Sequence, residues 1–142
     1  MRAAKEDQAF PDSPVGHLSF RMEPKDGNGK IEADGNIMSL VSQDCDDTSM
    51  QDYGFYKLFW ACKCLTKAPK LTATSLNESC YAHMFALCDS LIEAPELPVA
   101  RLSKTCYQEM FTQCTSLVKA PKLPAEPLAE GCYSGMFNRC TS

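Results

Sequence analysis

Residues 80–98 read CYAHMFALCDSLIEAPELP, and any chemistry they carry is that of two thiols eight positions apart with an imidazole between them. Thiols and imidazoles at close spacing bind zinc, a thiol beside a histidine base is a nucleophile, and two thiols can oxidise to a disulfide. The chain holds nine cysteines, an odd number that rules out complete pairing within one chain. If 80–88 is helical, Cys80 and Cys88 stand about 12 Å apart at ~1.5 Å per residue. A disulfide needs Cα atoms within about 7 Å, so this pair cannot close. Pairing between neighbouring helices, Cys80 with Cys106, would require them closer than the usual ~8–10 Å. Cys62-x-Cys64 by itself is poor evidence of a zinc knuckle. A ladder of small buried thiols is the leading expectation, with disulfides and a metal site as the alternatives.

A catalytic cysteine needs a base, and the only histidines are His17 and His83. PKDGNGKIEADG (24–35) imitates the middle of a calcium-binding loop, with Asp26 and Asn28 at the third and fifth ligand positions. Pro24 and Gly35 then occupy positions one and twelve, where carboxylates are required, so the stretch reads as a turn. The sequence therefore assigns no catalytic residue, no cofactor and no metal.

The elements that carry these residues are set by a repeat. Shifting the chain by the interval from Cys80 to Cys106 brings Cys132 into the same row. The same shift superposes Cys62, Cys88, Cys114 and Cys140, and Phe59, Phe85, Phe111 and Phe137. It also aligns Pro69, Pro95 and Pro121, and Leu71, Leu97 and Leu123. The unit C-Y-x-x-M-F-x-x-C-x-S-L-x-x-A-P-x-L-P occurs as repeats 1–3 (54–79, 80–105, 106–131) and a partial repeat 4 (132–142). A unit this short cannot bury its own apolar face, so its copies must stack into a solenoid. Within a unit, Leu102, Cys106, Met110 and Cys114 recur every four residues, which predicts a short helix. SLVKAPKLP is too rich in proline for a helix and predicts a short extended segment. The fold class expected is α/β, a repeat solenoid of short helices and short extended segments.

Reading across repeats gives two surface expectations. Lys67, Glu93 and Lys119 share one position, and Lys70, Glu96 and Lys122 another, so neighbouring repeats present opposite charges. Each such exposed pair adds only a few tenths of a kcal/mol, roughly; it serves as register support or, alternatively, as a charged ligand strip. Tyr56 and Trp60 occupy positions held elsewhere by Ala82, Gln108 and Ser134, and by Ala86, Thr112 and Asn138, which read as exposed to water. Large aromatics there need cover, either from the N-terminal segment or from a partner. Tyr53 joins them as the third member of a candidate partner-binding patch. His83 shares its position with Lys57, Glu109 and Gly135, which reads as a solvated helix face and not as a catalytic base.

Residues 1–53 break the pattern. HLSFRME (17–23) and GNIMSLV (35–41) predict short strands around a turn, and the segment is placed to cap the repeats at 54–142. The last copy is partial, which predicts a longer array or an end covered by another chain. Hydrophobic residues make up 44% and charged ones 23%, an ordinary globular balance for one domain of 142 residues. The net charge of −4 and the lack of a Lys/Arg run argue against a nucleic-acid partner. No apolar run reaches membrane-spanning length, and the N-terminus shows no secretory h-region.

The repeat, together with GNIMSL before it, resembles the BspA-like leucine-rich-repeat family of bacterial surface proteins over roughly residues 35–142. Repeat 1 departs from the pattern, with Gly54 in place of Cys80, Leu58 in place of Met84, and Cys64 where later copies have serine. The resemblance implies a right-handed leucine-rich-repeat-type solenoid at the cell surface or secreted. It also implies a non-catalytic adhesion or interaction role, with protein or glycan ligands on host matrix or other cells. The alternative is a structural spacer or assembly element, self-associating end to end through the uncapped C-terminal repeat.

Overall fold

The computed structural model describes residues 29–40, 50–97, 101–124 and 126–142. Each repeat divides into a turn segment (51–62, 77–88, 103–114 and 129–140) and an extended segment that carries the prolines. Both halves lie beside their counterparts in the next repeat, and the manner of contact differs between them.

In the turn segments the backbone N–H groups alternate in destination. Those of Tyr53, Phe55, Lys57, Phe59 and Ala61 donate to the carbonyls of Glu78, Cys80, Ala82, Met84 and Ala86 in the next segment, at 2.8–3.1 Å. Those of Gly54, Tyr56, Leu58, Trp60 and Cys62 donate back three residues within the same segment. The pattern recurs from the second segment to the third, as in Tyr81 to Cys106 and Phe85 to Met110, and from the third to the fourth. Every fourth residue takes a positive φ, between 50° and 64°: Tyr53, Lys57 and Ala61; Ser79, His83 and Leu87; Thr105, Glu109 and Gln113; Gly131, Gly135 and Arg139.

The short helix expected in each repeat is therefore replaced by a train of turns. An α-helix directs its N–H groups four residues back along its own chain and leaves none for a neighbour. Here half of them reach the next repeat, which brings the backbones to about the 4.8 Å spacing of paired strands. An apolar residue at every fourth position suits a turn train of period four as well as it suits a helix, so the sequence pattern could not separate them.

Close approach stacks like on like. Phe59, Phe85, Phe111 and Phe137 form a column with centroids 5.5–5.7 Å apart and planes within 5°. Tyr81, Tyr107 and Tyr133 form a second, at 5.6 and 5.8 Å. Each aromatic contact contributes about 0.5–1.5 kcal/mol beyond area burial. Met84, Met110, Leu65 and Leu91 are fully buried as well, with Met38 and the thiols of Cys62, Cys80, Cys88, Cys106 and Cys114.

The extended halves make a thinner ladder. Strand β1 (Ile31–Glu32) runs parallel to β2 (Leu65–Lys67), with Ile31 opposite Leu65 and Glu32 opposite Lys67. Beyond it only single parallel bridges occur among the described residues: Asn36 with Lys70, Lys67 with Glu93, and Glu93 with Lys119. Proline lacks the N–H that a continuous ladder needs, so Pro69, Pro95 and Pro121 limit pairing to isolated rungs. In place of the strand expected at 35–41, Ile37–Leu40 forms a 3₁₀ turn. The Asn36 side-chain oxygen accepts the Met38 N–H at 2.9 Å and the Asn36 carbonyl accepts that of Ser39, and these bonds draw the chain out of an extended path. Ile37 and Met38 are buried by this turn. The strand expected at HLSFRME lies outside the described residues.

Candidate functional site

The turn train decides which side chains share a surface. Tyr53 and Tyr56 meet edge to face with centroids 5.7 Å apart, and Tyr56 meets the His83 ring edge to face at 5.6 Å. The Lys57 ammonium lies 5.1 Å from the Tyr56 ring centre. Trp60, four residues on from Tyr56, is half-buried like Tyr53 and Tyr56. The expectation that other copies expose these two positions to water is corrected: Ala82, Ala86 and Thr112 are buried, and only Ser134 and Asn138 in repeat 4 are exposed. Small residues suffice in the interior repeats because the next backbone lies so near.

His83 is the residue that the sequence reading misplaced. It is half-buried between repeats, not on a solvated helix face, and its Nδ1 lies 3.7 Å from Glu109 Oε2. Burial lowers its pKa, Glu109 acts in the opposite sense, and Lys57 reinforces the lowering. The signal was present in the row Lys57, His83, Glu109, where stacking places an imidazole between an ammonium and a carboxylate. Nearby, the Ser79 and Thr105 hydroxyls hydrogen-bond at 2.7 Å, again one repeat apart.

Cysteines 62, 64, 80, 88, 106, 114, 132 and 140 are free thiols; Cys45 lies outside the described residues. The separation expected between neighbouring helices does not apply, because the hydrogen-bonded backbones are closer. Burial and local bonding hold these thiols instead. Cys88, Cys114 and Cys140 donate Sγ–H to the carbonyls of Phe59, Phe85 and Phe111, each at 3.1 Å. Loss of solvent raises the Cys106 pKa to about 11 and that of Cys114 to about 12, and raises Cys80 and Cys88 further. A thiolate is disfavoured at each of these sites, which suits packing and hydrogen bonding better than nucleophilic attack.

Among the described residues no group of three or more His, Cys, Asp and Glu side chains is arranged to hold a metal ion. Of the loop resembling a calcium site, residues 24–28 lie outside the described residues. At its other end the Asp34 side chain accepts the Gly35 N–H at 2.8 Å, and Gly35 has a φ of +90°. The hydroxyls of Tyr81, Tyr107 and Tyr133 are buried without hydrogen-bond partners.

The charge alternation shows itself as contacts. Lys119 pairs with Glu93, and Lys67 Nζ lies 4.0 Å from Glu32 Oε2. All four side chains are well exposed, so the pairs bias register and add little stability. Among the described residues no helix is long and apolar enough to cross a membrane. No protein-family model, curated protein or solved structure matches the chain.

Proposed function

We propose that the repeats wind as a right-handed solenoid of leucine-rich-repeat type, capped by the N-terminal segment, and that the chain is a non-catalytic interaction or adhesion module. The observation that carries this reading is the joining of Tyr53, Tyr56 and His83 into one aromatic chain beside Lys57, with the half-buried Trp60 four residues on from Tyr56. Aromatic residues with a cation beside them suit the centre of a protein or glycan contact, because they contribute area at little entropic cost. The same reading places the protein at the cell surface or in secretion. The cysteines support it indirectly, since burial suppresses the thiolates that an enzyme of the cysteine class would use.

The test is a binding screen against purified matrix proteins and a glycan panel, run beside the double variant Tyr56→Ala/Trp60→Ala. Binding lost in a variant that keeps its near-ultraviolet signal from the tyrosine column supports the patch. Binding retained moves the site to positions that vary in repeats 2–4, and no binding to any panel member overturns the adhesion reading.

A further inference from the structure

We propose that the outward rows of the extended half in repeats 2 and 3 dock a second copy of the chain. The two copies meet with repeat order reversed, about a two-fold axis that lies between those repeats. This surface is separate from the Tyr53–Tyr56–His83 patch of the turn half and does not depend on the adhesion reading. The first argument is exposed apolar area. Ile92 lies between Thr66 and Val118 in one row: its N–H reaches the Thr66 carbonyl, and its own carbonyl accepts the Val118 N–H. With a repeat on either side Ile92 is still 52% exposed, and Val118 is 69% exposed, whereas Leu91 and Leu117 just before them are buried. Two aliphatic side chains in one row thus form an apolar strip open to a partner.

The second argument is charge. Beside the strip, one row alternates as Glu32, Lys67, Glu93 and Lys119, each step bridged to the next. A further row runs Lys70, Glu96 and Lys122, all exposed. The Glu93 and Lys119 side chains are 59% and 69% exposed, so each can meet a second opposite charge besides its neighbour in the row. A partner must offer the reverse alternation at the same interval, about 4.8 Å from one backbone to the next. The same rows on a second copy do so, because the same backbone pairing sets their interval.

The third argument is symmetry. A two-fold axis running along the stack would set Lys67 on Lys67 and Glu93 on Glu93. An axis along the extended segments at the level of repeat 2 would set Glu93 on Glu93 and Lys67 on Lys119. Both oppose like charges, which disfavours them. An axis along the extended segments but midway between two repeats makes every contact in both rows opposite in sign, and such a contact is closed and self-complementary. The apolar row then selects the level. Between repeats 1 and 2, Ile92 would meet Thr66; between repeats 2 and 3, Ile92 meets Val118. There Glu93 meets Lys119 and Glu96 meets Lys122, and each contact occurs twice. The footprint is below about 1,200 Å², which makes the dimer a weak contact.

The experiment is sedimentation velocity at low salt on a concentration series reaching about 1 mM. It compares the unaltered chain with Lys119→Glu/Lys122→Glu, with Glu93→Lys/Glu96→Lys, and with an equal mixture of the two variants. All four positions are exposed, so the substitutions leave the fold intact, which the near-ultraviolet signal of the tyrosine column checks. The unaltered chain should form dimers and no larger species. Each variant alone places like charges across the axis and should weaken dimerisation by about tenfold or more. The mixture restores opposite charges at every contact and should recover the association of the unaltered chain. Val118→Ser, at an exposed position, should weaken the dimer as well. A chain that stays monomeric throughout overturns the proposal. So do charge variants that dimerise undiminished, a mixture that associates no better than its components, or a dimer indifferent to Val118→Ser.

Discussion

The two halves of each repeat solve the same problem, contact with the equivalent stretch of the next copy, by different means. In the turn half, alternate N–H groups cross to the next repeat along the whole segment, and side chains of one kind stack at 5.5–5.8 Å. In the extended half, prolines reduce the crossing to single rungs, and the residues between them, such as Ile92 and Val118, face outward. Cohesion thus belongs to the turn half. The extended half contributes register, through exposed charges of alternating sign. Dense backbone pairing and dense side-chain packing coincide here because the first brings the second within van der Waals reach.

The largest expected effect tests that division. Phe85 sits fully buried between Phe59 and Phe111, so Phe85→Ala should cost about 3–5 kcal/mol. Ile92→Ala, at a residue 52% exposed on the extended half, should stay within about 0.5 kcal/mol. Urea denaturation of both variants reads the difference directly; equal losses would erase the distinction between the halves.

A smaller effect separates a turn train from a helix. Gln113 has a φ of 61°. Glycine is at ease there, whereas a β-branched side chain is strained by about 1–2 kcal/mol. Gln113→Gly should therefore stabilise modestly and Gln113→Val should destabilise. In a helix the glycine variant would instead cost roughly 0.5–1 kcal/mol. The sign of the glycine effect in thermal melts decides the matter.

The smallest effect is electrostatic. Burial holds the His83 pKa below its ordinary value of 6.5, so the folded state prefers the neutral ring. As pH falls below 6.5 the unfolded chain takes up the proton first, and stability declines until the folded-state pKa is passed. His83→Gln should flatten that slope in denaturation curves measured between neutral and mildly acidic pH. An unchanged slope would mean that Glu109 offsets burial at this site; a slope changed in the opposite sense would mean that it outweighs burial.

Much of this could be read from residue order alone. The period, the cysteine, phenylalanine and leucine rows, and the pairing of Lys119 with Glu93 follow from the fact that equivalent positions become neighbours once repeats pack. The candidate patch was legible in part: Tyr53, Tyr56 and Trp60 stand out because none of their row-mates is aromatic. His83 did not stand out, because comparison along a row shows which residue types a position tolerates and not how closely those residues approach one another.

What residue order determined about this protein is the period of the repeat and the membership of each row, since both are properties of spacing. Only the tertiary structure decided the path of the backbone between rows. An apolar residue at every fourth position is satisfied equally by a helix, which keeps its hydrogen bonds to itself, and by a train of turns, which shares half of them. The choice rests on whether a neighbouring repeat is present to accept the N–H groups, and no local stretch of sequence contains that neighbour.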